Sequence, residues 1–115
     1  MSNQSAAADR EAAFDALGHP MRRRLLELLR DGPRPVGAIA RDLPIGRPAV
    51  SKHLRVLEGA GLVEHQSRGT RNLYVVAPAG LTPLQRWLTD LWGHALSEFA
   101  DYVERYDAGD RKEQR

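Results

Sequence analysis

Cysteine is absent from the 115 residues. That one absence excludes disulfides, thiolate metal sites, cysteine nucleophiles and thiol redox sensing, and gives no sign of an oxidising compartment. Long apolar runs are missing as well: no segment offers the 18 or so consecutive apolar residues of a membrane span. The opening stretch MSNQSAAADREAA carries two acids and lacks the apolar centre of a signal peptide. A cytoplasmic location is therefore expected. β-Branched residues are scarce, with Val, Ile and Thr numbering 12 against 30 Ala and Leu, so helices dominate and strands are few. Catalytic and phosphate-loop patterns are lacking too. Ser51 and His53 point in different directions on one helix, with no third group beside them. Gly59-Ala60-Gly61 has neither the preceding strand nor the third glycine of a dinucleotide loop. No enzymatic activity and no cofactor are expected.

What is present fits one domain with a thin core, which a partner subunit would extend. Formal net charge is only +2, but it is unevenly placed. Residues 1–79 hold 12 Lys and Arg against 8 acids, whereas residues 80–115 hold 5 against 7. Of the 17 cations, 15 are arginine. This balance is compatible with a nucleic-acid partner but does not identify one.

Punctuation along the chain divides it into a flexible start (1–9), one domain (10–106) and a flexible polar tail (107–115). An Ala-rich helix from Ser5 to Leu17 turns Ala13, Phe14 and Leu17 to one side. Gly18-His19-Pro20 breaks it, with His19 at the cap and Pro20 in the first turn of a second helix reaching about Leu29. Met21, Leu25, Leu28 and Leu29 form that helix's inner side, and Asp31-Gly32-Pro33 ends it. Val36, Ile39, Ala40 and Leu43 then recur at helical spacing. After Pro44-Ile45-Gly46 another helix starts at Arg47-Pro48 and stops at Gly59-Ala60-Gly61. Two short helices joined by about three residues, over 36–59, have the spacing of a helix-turn-helix. Leu62-Val63 and Leu73-Tyr74-Val75-Val76 flank a Gly69 tip, predicting a β-hairpin over 62–76 that includes His65. Thr82-Pro83-Leu84-Gln85 has the pattern of a capping box opening a last helix over 82–106.

On a helical wheel Val50, Leu54 and Leu57 share one side of the fourth helix, and Pro48, Ser51, Lys52 and Arg55 lie opposite, with Arg47 in the first turn. A cationic helix presented by another short helix suits the major groove, where Arg and Lys donate to guanine O6 and N7. Arg68 and Arg71 flank the hairpin tip, within reach of phosphates or the minor groove. Any one of these residues taken singly is an ordinary solvated cation; the order helix, turn, helix, Arg-tipped hairpin is what points to double-stranded DNA. His53 flanks the inward side, where phosphate contact and a packed ring are both open.

In the last helix Leu84, Trp87, Leu88, Leu91, Ala95, Phe99 and Tyr102 lie together, with Trp92 widening the apolar arc to about 180°. A helix covering one core needs only about 100°. The excess calls for a second surface, most simply another copy, with Phe14 on the first helix joining the contact. Gly93 marks either close passage of two such helices or a tolerated cost of about 1 kcal/mol.

The segments LGHPMRRRLLELL (17–29) and VGAIARDLPIGRPAVSKHLRVLEGAGLVEHQSRGTRNLYVV (36–76), with the closing amphipathic helix, resemble the ArsR/SmtB-type winged helix-turn-helix regulators. Pro48-Ala49-Val50-Ser51-Lys52-His53-Leu54 carries most of the likeness. The resemblance implies a mainly α fold of about five helices plus a β-hairpin wing, and a recognition helix at 47–59. It also implies a homodimer joined through first and last helices, and regulation of transcription at an operator with two-fold symmetry, by repression if the bound dimer occludes polymerase. Departures place the chain nearest the metal-independent branch. No thiol pair occupies 36–43, and Trp92 stands where a zinc-binding Asp would precede His94. Asp90, His94 and Glu98 share one helical face, but no metal is expected there. The competing expectation is a winged-helix interaction module whose last helix docks a different chain.

Overall fold

Proline and glycine set most of the element boundaries. In a computed structural model, the structure describes residues 3–113, with side chains over 6–109. The chain divides into two compact units, Met1–Leu84 and Gln85–Arg115. The first contains helices α1 (Asn3–Leu17), α2 (Pro20–Leu28), α3 (Val36–Arg41) and α4 (Arg47–Gly59). It also holds strands β1 (Arg34–Pro35), β2 (Val63–Arg68) and β3 (Arg71–Val76), and a 3₁₀ turn over Pro78–Leu81. The last helix, α5 (Thr82–Glu113), begins there and supplies the second unit. Residues 1 and 2 of the expected flexible start, and 114 and 115 of the expected tail, lie outside the described residues.

His19 caps α2 as expected. Its backbone is extended, its Nδ1 accepts from the Met21 N–H at 3.3 Å, and Pro20 opens the helix. The arginines that follow do a job the pattern did not reveal. Arg22 Nε donates to the Ala16 carbonyl at 2.8 Å, and Arg23 Nη1 to the Leu17 carbonyl at 2.6 Å. They satisfy carbonyls left over at the end of α1, where helix geometry provides no further N–H.

α3 is shorter than expected, ending at Arg41 instead of near Leu43. The Asp42 N–H bonds to the Ile39 carbonyl and the Leu43 N–H to the Ala40 carbonyl, a tightened last turn. Pro44 disfavours helical backbone at Leu43, and Arg34 Nη2 holds the Asp42 carboxylate at 2.8 Å. The connection to α4 is therefore residues 42–46, not the three of Pro44-Ile45-Gly46 alone. α4 matches its expected bounds. It closes with Ala60 as cap and Gly61 at φ 78°. The Leu62 N–H returns to the Leu57 carbonyl and the Gly61 N–H to that of Glu58, a Schellman arrangement.

The wing is a three-stranded antiparallel sheet in the order β1-β3-β2, not a lone hairpin. Arg34 pairs with Tyr74 and Pro35 with Leu73. Pro35 is tolerated because β1 is an edge strand, where a missing N–H costs no central ladder bond. β2 and β3 pair from Val63 with Val76 to Arg68 with Arg71, and Gly69 takes the positive φ of 62° at the tip.

Leu25, Leu29, Ile39, Val50, Leu54, Leu57, Leu62 and Val63 are almost wholly buried, together with Ala13, Ala16 and Tyr74. Met21 and Leu28, expected inside with them, are only half-buried, as is Phe14. Thr82 is a further correction. Its φ of −57° and ψ of −48° are already helical, so it is no extended capping residue, and the 3₁₀ turn leads directly into α5. α5 continues past the expected Tyr106 to Glu113, and no Pro interrupts this stretch.

Candidate nucleic-acid interface

The burial of Val50, Leu54 and Leu57 fixes how α4 is rotated in its unit. At 100° per residue, Pro48, Ser51, Lys52 and Arg55 fall within an arc of about 100° on the other side, with Arg47 in the first turn. Arg47, Pro48, Lys52 and Arg55 are exposed and Ser51 is half-buried. Among the described residues, none of the three cations has a carboxylate within ion-pair distance. Arg68 and Arg71 are likewise exposed and unpaired, facing each other across the last rung before the wing tip. The structure thus brings together five of the six residues expected on α4, and both expected on the wing.

His53 is set apart from that arc. It is half-buried, with its ring 4.8 Å from that of His19 and tilted by 57°. Burial lowers its pKa from the ordinary 6.5, and the neighbouring charges of His19, Arg22 and Lys52 lower it further. A neutral ring packed toward α2 follows, which removes His53 from the exposed cationic surface.

Contacts that hold the wing against α4 were invisible in the sequence pattern. His65 Nδ1 meets Glu58 Oε2, joining β2 to the last turn of α4. The His65 ring also lies 5.4 Å from Tyr74, its cross-strand partner. The Tyr74 hydroxyl is pushed up from its ordinary pKa by burial and by Glu58, with Arg55 opposing. Nearer the tip, Ser67 Oγ donates to Asn72 Oδ1 at 3.0 Å. No local signal marks Glu58 and His65 as partners, because the Schellman turn between them is what folds one back toward the other.

In α5, Leu88, Leu91, Trp92, Ala95, Phe99 and Tyr102 are exposed, as are Leu96, Val103 and Tyr106. Leu84 is different, packing against the core of the first unit. His94 Nε2 lies 3.0 Å from Glu98 Oε1, one helical turn away. Among the described residues no group of three or more His, Asp or Glu is arranged to hold a metal ion, and no helix is long and apolar enough to cross a membrane.

A family described as a helix-turn-helix domain matches residues 17–66, which run from the end of α1 into the wing. A solved structure from Mycobacterium bovis is described as a homodimeric winged helix-turn-helix DNA-binding domain and a possible ArsR-family transcriptional regulator. It superposes with a TM-score of 0.64 at 29% identity, covering 85% of this chain and 93% of that one. The HTH-type transcriptional regulator Rv2034 of Mycobacterium tuberculosis is 44% identical over 94 residues, 82% of this chain and 88% of the relative. The chain belongs to the ArsR family of winged helix-turn-helix transcriptional regulators. Another relative, the transcriptional repressor SdpR of Bacillus subtilis, is 31% identical over 75 residues, 65% of this chain and 83% of that protein. The fold expected from the residues, mainly helical with a small wing, is the fold observed.

Proposed function

We propose that this ArsR-family regulator acts in the cytoplasm as a homodimer that binds an inverted-repeat operator in double-stranded DNA and represses transcription by occluding polymerase. The observation that carries the reading is the row of exposed cations on α4, with two more at the wing tip, none of them ion-paired among the described residues. Pro48, Ser51, Lys52 and Arg55 are positioned for base edges in the major groove, with Arg47 beside them in the first turn of the helix. Arg68 and Arg71 take the flanking backbone or minor groove. The apolar row of α5 supports pairing with a second copy, and the homodimeric M. bovis relative supports it independently. A two-fold axis would then set the two α4 helices in successive major grooves, about 34–36 Å apart. The SdpR likeness favours repression over activation.

Footprinting on the region upstream of the protein's own gene tests this. Protection of an imperfect palindrome is expected. Arg68→Ala should weaken binding to all sequences alike and lower the salt dependence by about one phosphate's worth. Loss of sequence preference in that variant, with the salt dependence intact, would contradict the assignment of the wing.

A further inference from the structure

Between the start of α3, the start of α4 and the wing tip lies a cleft of about 260 Å³. Three arginines from three different elements line it: Arg41 from α3, Arg47 from α4 and Arg71 from β3. Thr70 and Asn72 complete its polar side, and no acid is among its lining residues. None of the three guanidinium groups has a carboxylate partner among the described residues. Asn72 takes the Ser67 hydroxyl on its Oδ1, which leaves its amide nitrogen as the end free to donate. The Arg47 side chain lies directly over Gly37, so closely that a β-carbon there would collide with the guanidinium. The missing side chain at Gly37 is what lets Arg47 lie over α3 and line the cleft, not only extend from α4.

Three like charges converging without a counter-charge repel one another, and the arrangement is relieved by an anion rich in acceptor oxygens. We propose that this cleft holds one phosphodiester of the DNA backbone, shared by Arg41, Arg47 and Arg71. The inference rests on the DNA-binding reading above and goes beyond it. One phosphate, gripped from the helix-turn-helix and the wing together, fixes the register of the two parts on the duplex. Arg41, absent from the residues expected to touch DNA, becomes a backbone contact. The wing's Arg71 shares its phosphate with α3 and α4 and does not take a separate one.

The test is a set of operator duplexes, each with one phosphate replaced by a neutral methylphosphonate, bound to the full chain. Arg41→Ala and Arg71→Ala change exposed side chains and should leave the fold intact. One linkage per half-site is expected at which neutralisation weakens wild type by about tenfold or more, the scale of losing charge-assisted hydrogen bonds. Each variant should weaken the unmodified duplex several-fold, and neither should weaken that modified duplex further. If each variant loses the same factor on the modified duplex as on the natural one, or if the two map to different linkages, the shared phosphate is wrong while DNA binding stands. If wild type shows no sequence-preferring binding at all, the functional reading falls and this inference falls with it. A parallel titration with inorganic phosphate at matched ionic strength distinguishes the source of the anion. Saturable binding without DNA that is lost in Arg41→Ala would assign the cleft to a free oxyanion and overturn the proposal.

Discussion

From Ala13 to Val63, Leu25, Ile39, Leu54 and Leu57 are entirely enclosed, whereas along α5 Leu91, Trp92, Leu96, Phe99 and Tyr102 are each more than half exposed. Both regions are patterned at helical spacing, and both are rich in leucine and alanine. The first has its partners within its own unit: α4 meets α2, α3 and β2, and its apolar side is consumed there. The second presents an apolar surface far larger than scattered exposed residues would make. The contrast separates what the fold needs from what assembly needs. The region proposed to face DNA is finished by folding of one chain, and the helix beyond Gln85 is left for the proposed association. A β-carbon at Gly93 would make only an ordinary 3.8 Å contact with Thr89 of its own helix, so crowding within α5 does not require glycine.

Substitutions on the two sides should therefore behave differently. Leu57→Ala removes a fully buried side chain from the middle of the body and should cost about 2–5 kcal/mol, the same at every protein concentration, as read from denaturant melts. Leu96→Asp places a charge in the exposed row of α5. It should leave the circular dichroism of the chain unchanged but raise the dimer dissociation constant at least about tenfold, roughly 1.4 kcal/mol, as read by light scattering. The melting temperature of wild type should rise with concentration, and that of Leu96→Asp should lie lower wherever wild type is dimeric. A wild type that stays monomeric at micromolar concentration would reassign the α5 surface to a different chain.

The smallest effect concerns pH. His53 has a lowered pKa in the folded chain, so the unfolded chain takes up a proton more readily. Its contribution is complete above the ordinary 6.5. Stability should decline as pH falls through that value, and the decline should level off below the folded pKa. His53→Gln should flatten this part of the stability profile. An unchanged profile would contradict the packed, neutral ring.

How much of this was legible in the chain follows from where local chemistry decides. Pro48 and Gly61 mark the two ends of α4 whatever surrounds them, and Gly69 marks the wing tip, so these features stand where the pattern put them. His19 and Pro20 announce the start of α2 in the same way. β1 could not be read because Arg34-Pro35 has no apolar alternation and exists only as an edge added to β3. Thr82 carried a convincing cap pattern, yet the 3₁₀ turn before it sets its backbone helical. On the candidate interface, the wheel separated Lys52 and Arg55 from the core because α4 is amphipathic. It could not foresee that His53 meets His19, nor that Arg41 and Arg71 line one cleft with Arg47, since these pairings cross elements.

The central claim is that the exposed face of α4 selects bases. The most direct measurement compares wild type and Arg55→Ala on the footprinted site and on a panel of single-base variants of it. Arg55→Ala should lose about 1–3 kcal/mol on the natural site and become indifferent to the base at one position per half-site. Wild-type affinity and an unaltered base preference in that variant would contradict the account.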